Sequence, residues 1–185
     1  VVPDLACIGK GMGNGYPISA VVGPREIMEE FDRSFFSFTF GGEAVSLAAT
    51  IATIDVFERE NVTSHMWILG RKLKDGYNYL ARQYGLESYT WCQGLPPRSG
   101  IQFVDTRGQD SLLYKSIFQQ ECIKRGVLFV GLHKFCLLHS QEQIEYTLAV
   151  YDEAFKVLRK AYQADAPEVF LEGTMLEPVF RQQDY

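Results

Sequence analysis

Residues 10–17 read Lys-Gly-Met-Gly-Asn-Gly-Tyr-Pro, and no other stretch restricts the chain so firmly. Three glycines and a proline in eight positions sustain neither a helix nor a strand ladder, so this segment has to be a loop. On one side of it, residues 5–9 form a short apolar run ending in glycine. On the other, residues 18–23 form a second run rich in β-branched side chains. The two runs read as strands, and the loop is presented at a strand end. Pro24 then opens a short helix over residues 25–31, at a first-turn position where its missing N–H does no harm.

Beyond the loop the periodicity changes. Residues 34–42 are rich in Phe, Ser, Thr and Gly and lead into residues 43–60, where Val45, Ala48, Ala49, Ala52 and Val56 recur at helical spacing. A second helix is predicted over residues 62–84, with Trp67, Leu69, Leu73, Tyr77 and Leu80 on its apolar face and Gly85 as its stop. The two helices together predict a long, bent spine. Strand-like pieces follow at 87–93 and 100–104, a helix at 111–125, strands at 127–130 and 135–139, and a helix at 141–162. That alternation predicts a compact α+β lobe. Ser140 with Gln143 is close to a capping box. Residues 164–185, with Pro167, Gly173 and Pro178, read as a tail that drapes on a neighbour or is partly disordered.

Composition excludes several function classes. Lys and Arg number 18 against 23 Asp and Glu, a net charge of −5, and no basic stripe is interleaved with aromatics, so no nucleic-acid partner is expected. No apolar run approaches the roughly 20 residues that span a bilayer, and the first residues lack the zones of a signal peptide. The expectation is a cytoplasmic protein with no membrane partner. The cysteines at 7, 92, 122 and 136 form no C-x-x-C pair and read as reduced core or near-core thiols. His65, His133 and His139 form no H-x-x-x-H helix pair, and no metal site is expected. A start at Val1, without Met and a few residues before the most chemical segment, points to an excerpt of a longer protein.

Lys10, flanked by Gly9 and Gly11 at a strand end, has almost no side-chain bulk beside it, so a planar ligand can approach it closely. Known glycine loops do not fit. G-x-G-x-x-G fails because Asn14 or Tyr16 stands where the third glycine belongs, and no G-x-x-x-x-G-K-[ST] can be drawn. By itself a Gly-Lys-Gly turn is most simply a solvated lysine. The wider pattern of Pro3, Asp4, Gly9, Lys10, Gly13, Gly15, Pro17, Ile18, Ala20 and Gly23, however, closely resembles the cofactor-lysine signature of class III aminotransferases dependent on pyridoxal 5'-phosphate (PLP), within fold type I.

A second likeness lies at Ser37-Phe38-Thr39-Phe40-Gly41-Gly42-Glu43, which resembles the family segment that precedes a long helix. A hydroxyl followed by two glycines at a helix N-terminus offers free N–H groups and the positive end of the dipole to an anion. A plain helix cap is the simpler reading of Thr39. Glu43 departs from the commoner Asn, and puts a negative charge near the phosphate unless it points away. Residues 124–129 and 139–148 resemble small-domain passages of the glutamate-1-semialdehyde 2,1-aminomutase branch, so the resemblance spans roughly residues 3–162.

The resemblance implies an α/β fold: the C-terminal part of a PLP-dependent transferase, with residues 1–65 completing the large cofactor domain, 66–163 forming a small α+β domain and 164–185 a tail. It implies Lys10 as the catalytic residue, binding PLP as a Schiff base and then shuttling the proton. It places Thr39 and Gly41 at the cofactor phosphate, usually that of the other subunit, in a homodimer with shared sites. A small-molecule amino donor and a carbonyl acceptor follow. The family's ring-stacking residue and pyridinium aspartate lie upstream of the lysine, and only nine residues precede Lys10; Asp4 is a polar residue at a strand start. Taken alone the chain is expected to be inactive unless the first half is supplied. Between Gly126 and His139 only His133 and Lys134 are basic, so the usual carboxylate-binding arginine is not evident, which tilts the reading toward an aminomutase-like or sugar-related substrate. Two alternatives stand beside this reading: another PLP outcome such as epimerisation, and a non-catalytic binding or oligomerisation module that merely retains Lys10.

Overall fold

The structure, a computed structural model, describes residues 2–35 and 37–178. Two compact units divide the chain, Val1–Thr63 and Ser64–Tyr185.

In the first unit the two apolar runs form strands β1 (Ala6–Ile8) and β2 (Ala20–Val22), paired antiparallel with Cys7 opposite Val21. The glycine loop between them opens with a 3-10 turn at Lys10–Met12. Helix α1 (Arg25–Met28) follows Pro24 and tightens into a second 3-10 turn at Glu29–Asp32, so the helix predicted over 25–31 is α only in its first half. Helix α2 (Ala44–Arg59) ends the unit's regular structure, with Thr50 and Thr53 returning their hydroxyls to the carbonyls of Ser46 and Ala49.

The second unit is built around helix α3 (Val62–Gln83), whose apolar stripe delivers Leu69, Leu73 and Tyr77 to a core closed by α4 (Leu112–Lys124) and α5 (Gln141–Gln163). Tyr77 is fully buried, and its ring meets Phe155 at 5.0 Å and Phe118 at 5.7 Å between centroids. Such aromatic pairs add about 0.5–1.5 kcal/mol each beyond their area. The tyrosine hydroxyl is satisfied by Thr90 Oγ1, which itself donates to the carbonyl of Gln102 at 2.8 Å. Strands β3 (Thr90–Leu95) and β4 (Arg98–Phe103) form the hairpin that carries Thr90. Asn78 clamps it to α3 with two hydrogen bonds to the Cys92 backbone, at 2.9 and 2.8 Å. Ser140 and Gln143 form a complete capping box at the start of α5.

Two expected strands are absent. Residues 127–130 and 135–139 carry no strand; instead Leu132 makes an isolated antiparallel bridge with Gly100, and the amides of Ile101 and His133 bond the carbonyls of Gly131 and Ser99. Gly131 has φ +88°, a left-handed turn that interrupts any ladder passing through it. Phe129 is buried in the core and Val127 and Phe135 pack against it, while Leu128 and Leu138 stay exposed, so the alternation places side chains on two faces without a strand ladder. The cysteines also part company. All four are free thiols, but only Cys92 and Cys122 are buried; Cys7 and Cys136 are exposed.

The described part of the tail lies back on its own unit. The 3-10 turn Pro167–Phe170 packs on α5, Gln120 of α4 bonds Phe170 O and receives the Glu172 amide, and the Leu176 amide donates to Ser116 Oγ at 2.9 Å. Residues 179–185 of the expected tail lie outside the described residues. Among the described residues no helix is long and apolar enough to cross a membrane, and no group of three or more His, Cys, Asp or Glu is placed to hold a metal.

Candidate active site

Lys10 stands two residues past the end of β1, after Gly9, at the first residue of the 3-10 turn, with φ +50°. A left-handed backbone is uncommon for a lysine and has to be imposed by its surroundings. The turns that impose it run in series: Met12 N–H donates to Gly9 O, Asn14 N–H to Gly11 O and Tyr16 N–H to Gly13 O, each at 3.2 Å. The fold of this loop makes glycine obligatory at residue 13, because a Cβ there would lie 2.6 Å from Ile18 Cγ2 and 2.8 Å from Tyr16 O. Gly11 is different. A Cβ added to it would meet nothing within 4 Å, so the chain's own packing does not demand glycine beside Lys10. What its absent side chain leaves is open space next to an exposed amine.

Thr39 and Gly41 lie in a tight turn where Gly41 N–H donates to Phe38 O at 3.1 Å and Glu43 N–H to Phe40 O at 3.3 Å. Both residues are exposed. Thr39 is not the cap of α2: the N-cap is Glu43, four residues further on. Glu43 does not point away from the helix start either. Its two carboxylate oxygens accept from the amides of Val45 at 2.8 Å and Ser46 at 2.7 Å. The Ser46 hydroxyl lies beside the same carboxylate and, with those two amides, holds Glu43 below the usual carboxylate range, although its geometry falls short of a hydrogen bond. The role of Ser46 was not legible in the sequence, because nothing in a Ser at helical spacing signals a hydroxyl left without a partner. Among the described residues no hydrogen bond joins Lys10 to Thr39 or Gly41.

His133, one of the two basic residues between Gly126 and His139, is already engaged. It is buried, Nε2 meets Tyr151 Oη at 2.8 Å and Nδ1 meets Ser99 Oγ at 3.0 Å, and burial pushes its pKa down to about 4. A neutral imidazole with both nitrogens engaged cannot bind a carboxylate. Lys134 remains exposed.

Comparison with known proteins gives a consistent picture. The sequence model of the family described as "Aminotransferase class-III" matches residues 1–139. Curated relatives include a 3-aminobutyryl-CoA aminotransferase of Cloacimonas acidaminovorans, 28% identical over 86% of this chain and 39% of its own length. A glutamate-1-semialdehyde 2,1-aminomutase of Natronomonas pharaonis is 30% identical over 82% of this chain and 42% of its own. An isoleucine 2-epimerase of Lentilactobacillus buchneri is 29% identical over 84% of this chain and 36% of its own. Among solved structures, the PLP internal aldimine form of the FumI protein of Sphingopyxis sp. MTA144 superposes with TM-score 0.73 at 26% identity, covering 91% of this chain and 40% of that one. The acetylornithine aminotransferase of Elizabethkingia anophelis, at 23% identity and TM-score 0.69, shares the fold. The chain thus spans about two fifths of the length of the relatives it matches.

Proposed function

Because this chain belongs to the class III aminotransferase family, we propose that it is the lysine-bearing part of a PLP-dependent enzyme that moves an amino group, an aminotransferase or aminomutase, with Lys10 as the catalytic residue. The observation that carries this reading is the pairing of an exposed Lys10, held in a left-handed turn at the end of β1, with the open Cβ direction of Gly11.

The residues present fit the cofactor at its reactive end. Lys10 Nζ is an amine positioned by a rigid series of turns with unobstructed space beside it, as attachment of a planar aldehyde requires. Thr39 Oγ1 and the backbone about Gly41 would hold the phosphate, since a hydroxyl and exposed loop amides suit an anion. When bound, PLP supplies a conjugated ring that accepts the electron pair released at the substrate carbon. Lys10 Nζ, as a free amine, would take the proton from that carbon and deliver it to the aldehyde-derived carbon of the cofactor, the shift that moves the amino group. The left-handed turn would fix the backbone from which Nζ reaches the carbon, and the glycine beside it would leave the approach of the amine clear.

Under this reading, residues 1–65 complete the large cofactor domain, 66–163 form the small domain and 164–185 the tail. The enzyme is a cytoplasmic homodimer with shared sites, taking a small-molecule amino donor and a carbonyl acceptor. The likeness to an isoleucine 2-epimerase supports a second reading, epimerisation by the same lysine. Solvent deuterium appearing at the substrate carbon without net amino transfer would identify it.

The test is a visible spectrum of the full-length protein with added PLP, followed by borohydride reduction and peptide mapping. A band near roughly 410–430 nm, the region of a protonated conjugate of PLP with an amine, and a reduced label on Lys10 are expected. A label elsewhere, or none, overturns the assignment in favour of a non-catalytic binding module.

A further inference from the structure

The N-terminus of α2 is already occupied by an anion that belongs to the chain. Glu43 closes the Val45 and Ser46 amides with its two carboxylate oxygens, and these are two of the N–H groups that a helix start leaves free for a ligand. A second observation at the same spot is independent of the helix. Ser46 is 3% exposed, and its Oγ is the one buried side-chain oxygen or nitrogen among the described residues that lacks a hydrogen-bond partner. Leaving a buried hydroxyl unmade is costly, and the carboxylate beside it, bonded to the two amides, makes no hydrogen bond to it in this geometry. A phosphate group brings three free oxygens, enough for both amides and the hydroxyl.

We infer that Glu43 is an internal competitor for the cofactor's phosphate: it occupies the Val45 and Ser46 amides, sets its charge beside the unpartnered Ser46 hydroxyl, and so limits how tightly this chain retains a phosphorylated ligand. The inference rests on the PLP reading for the identity of that ligand. With Glu43 in place, this segment offers the phosphate only Thr39 and the turn about Gly41. Removing the carboxylate opens three more donors and removes a like charge. Asn at this position still accepts from one helix amide as a cap, so Glu43→Asn keeps α2 started while vacating the rest.

The experiment measures affinity of the apo form of the full-length protein for PLP, for pyridoxal and for inorganic phosphate, in the wild type, in Glu43→Asn and in Glu43→Asn/Ser46→Ala. The expected result is PLP binding tightened at least about five-fold in Glu43→Asn, the scale of one well-placed charge-assisted contact at a helix start, with pyridoxal unchanged. Inorganic phosphate should bind Glu43→Asn more tightly than wild type, and Ser46→Ala should return part of the gain. Equal or weaker binding of PLP and phosphate by Glu43→Asn, with pyridoxal unchanged, overturns the inference. If neither PLP nor pyridoxal binds the wild type, the proposed function fails instead, and the inorganic phosphate titration still decides the role of Glu43.

Discussion

Lys10 combines an uncommon backbone angle with an absence of packing, and the two properties separate its chemical from its structural role. Lys10→Ala should change unfolding free energy by no more than about 0.5 kcal/mol, as for exposed residues generally, while abolishing borohydride-fixed cofactor. A denaturation curve alongside the labelling experiment checks both halves. His133 behaves in the opposite way, being all structure. Its folded pKa of about 4 lies below the value of about 6.5 expected in the unfolded chain. The unfolded state therefore binds the extra proton between those values. Stability should be full above pH of about 6.5 and fall as pH drops toward about 4, by up to about 3 kcal/mol. Urea midpoints across that window should show the decline, and His133→Gln should flatten it even if that variant is less stable throughout. The lysine was legible in the sequence because its setting is local, glycines within a few positions. The burial of His133 was not, because Ser99 and Tyr151 reach it from 34 and 18 residues away.

At the scale of elements, helices were legible and the third edge of the small sheet was not. Helical periodicity placed α2, α3, α4 and α5 to within a residue or two, and the Ser140 cap marked the start of α5. Ser140→Ala should cost about 1 kcal/mol, visible as a lowered melting temperature. Gly70, midway along α3, tests packing against propensity. Ala is the better helix former by about 1 kcal/mol, but a Cβ at residue 70 would lie 2.0 Å from Pro96 O. Gly70→Ala should therefore destabilise by roughly 1–3 kcal/mol, the usual cost of overpacking; a gain in melting temperature would refute the close approach of α3 and the hairpin turn. Residues 127–139 misled because alternating apolar residues describe extended chain equally well with or without a ladder. Gly131 turned that chain, and only a bridge to Gly100 formed.

For the whole chain, the two units differ in what they bury within it. The second has a continuous aromatic and aliphatic core, with Ile117, Phe118, Phe155 and Leu158 fully buried. The first leaves Val45, Leu47, Ile51 and Ile54 of α2 exposed. Amide hydrogen exchange of this chain should accordingly be slowest in α4 and α5 and fastest about β1 and β2, since protection follows burial. The sequence by itself determined the helices, the glycine loop and the position of the lysine, because those depend on neighbours within a few residues, and its motifs carried the family. Only the tertiary structure decided that Glu43 turns back onto the amides of α2, that a serine hydroxyl beside it goes unpartnered, and that His133 is closed to ligands. Each of those outcomes depends on where a side chain ends up once the backbone is in place, and hydrogen-bond geometry over a few ångströms is not written in residue spacing.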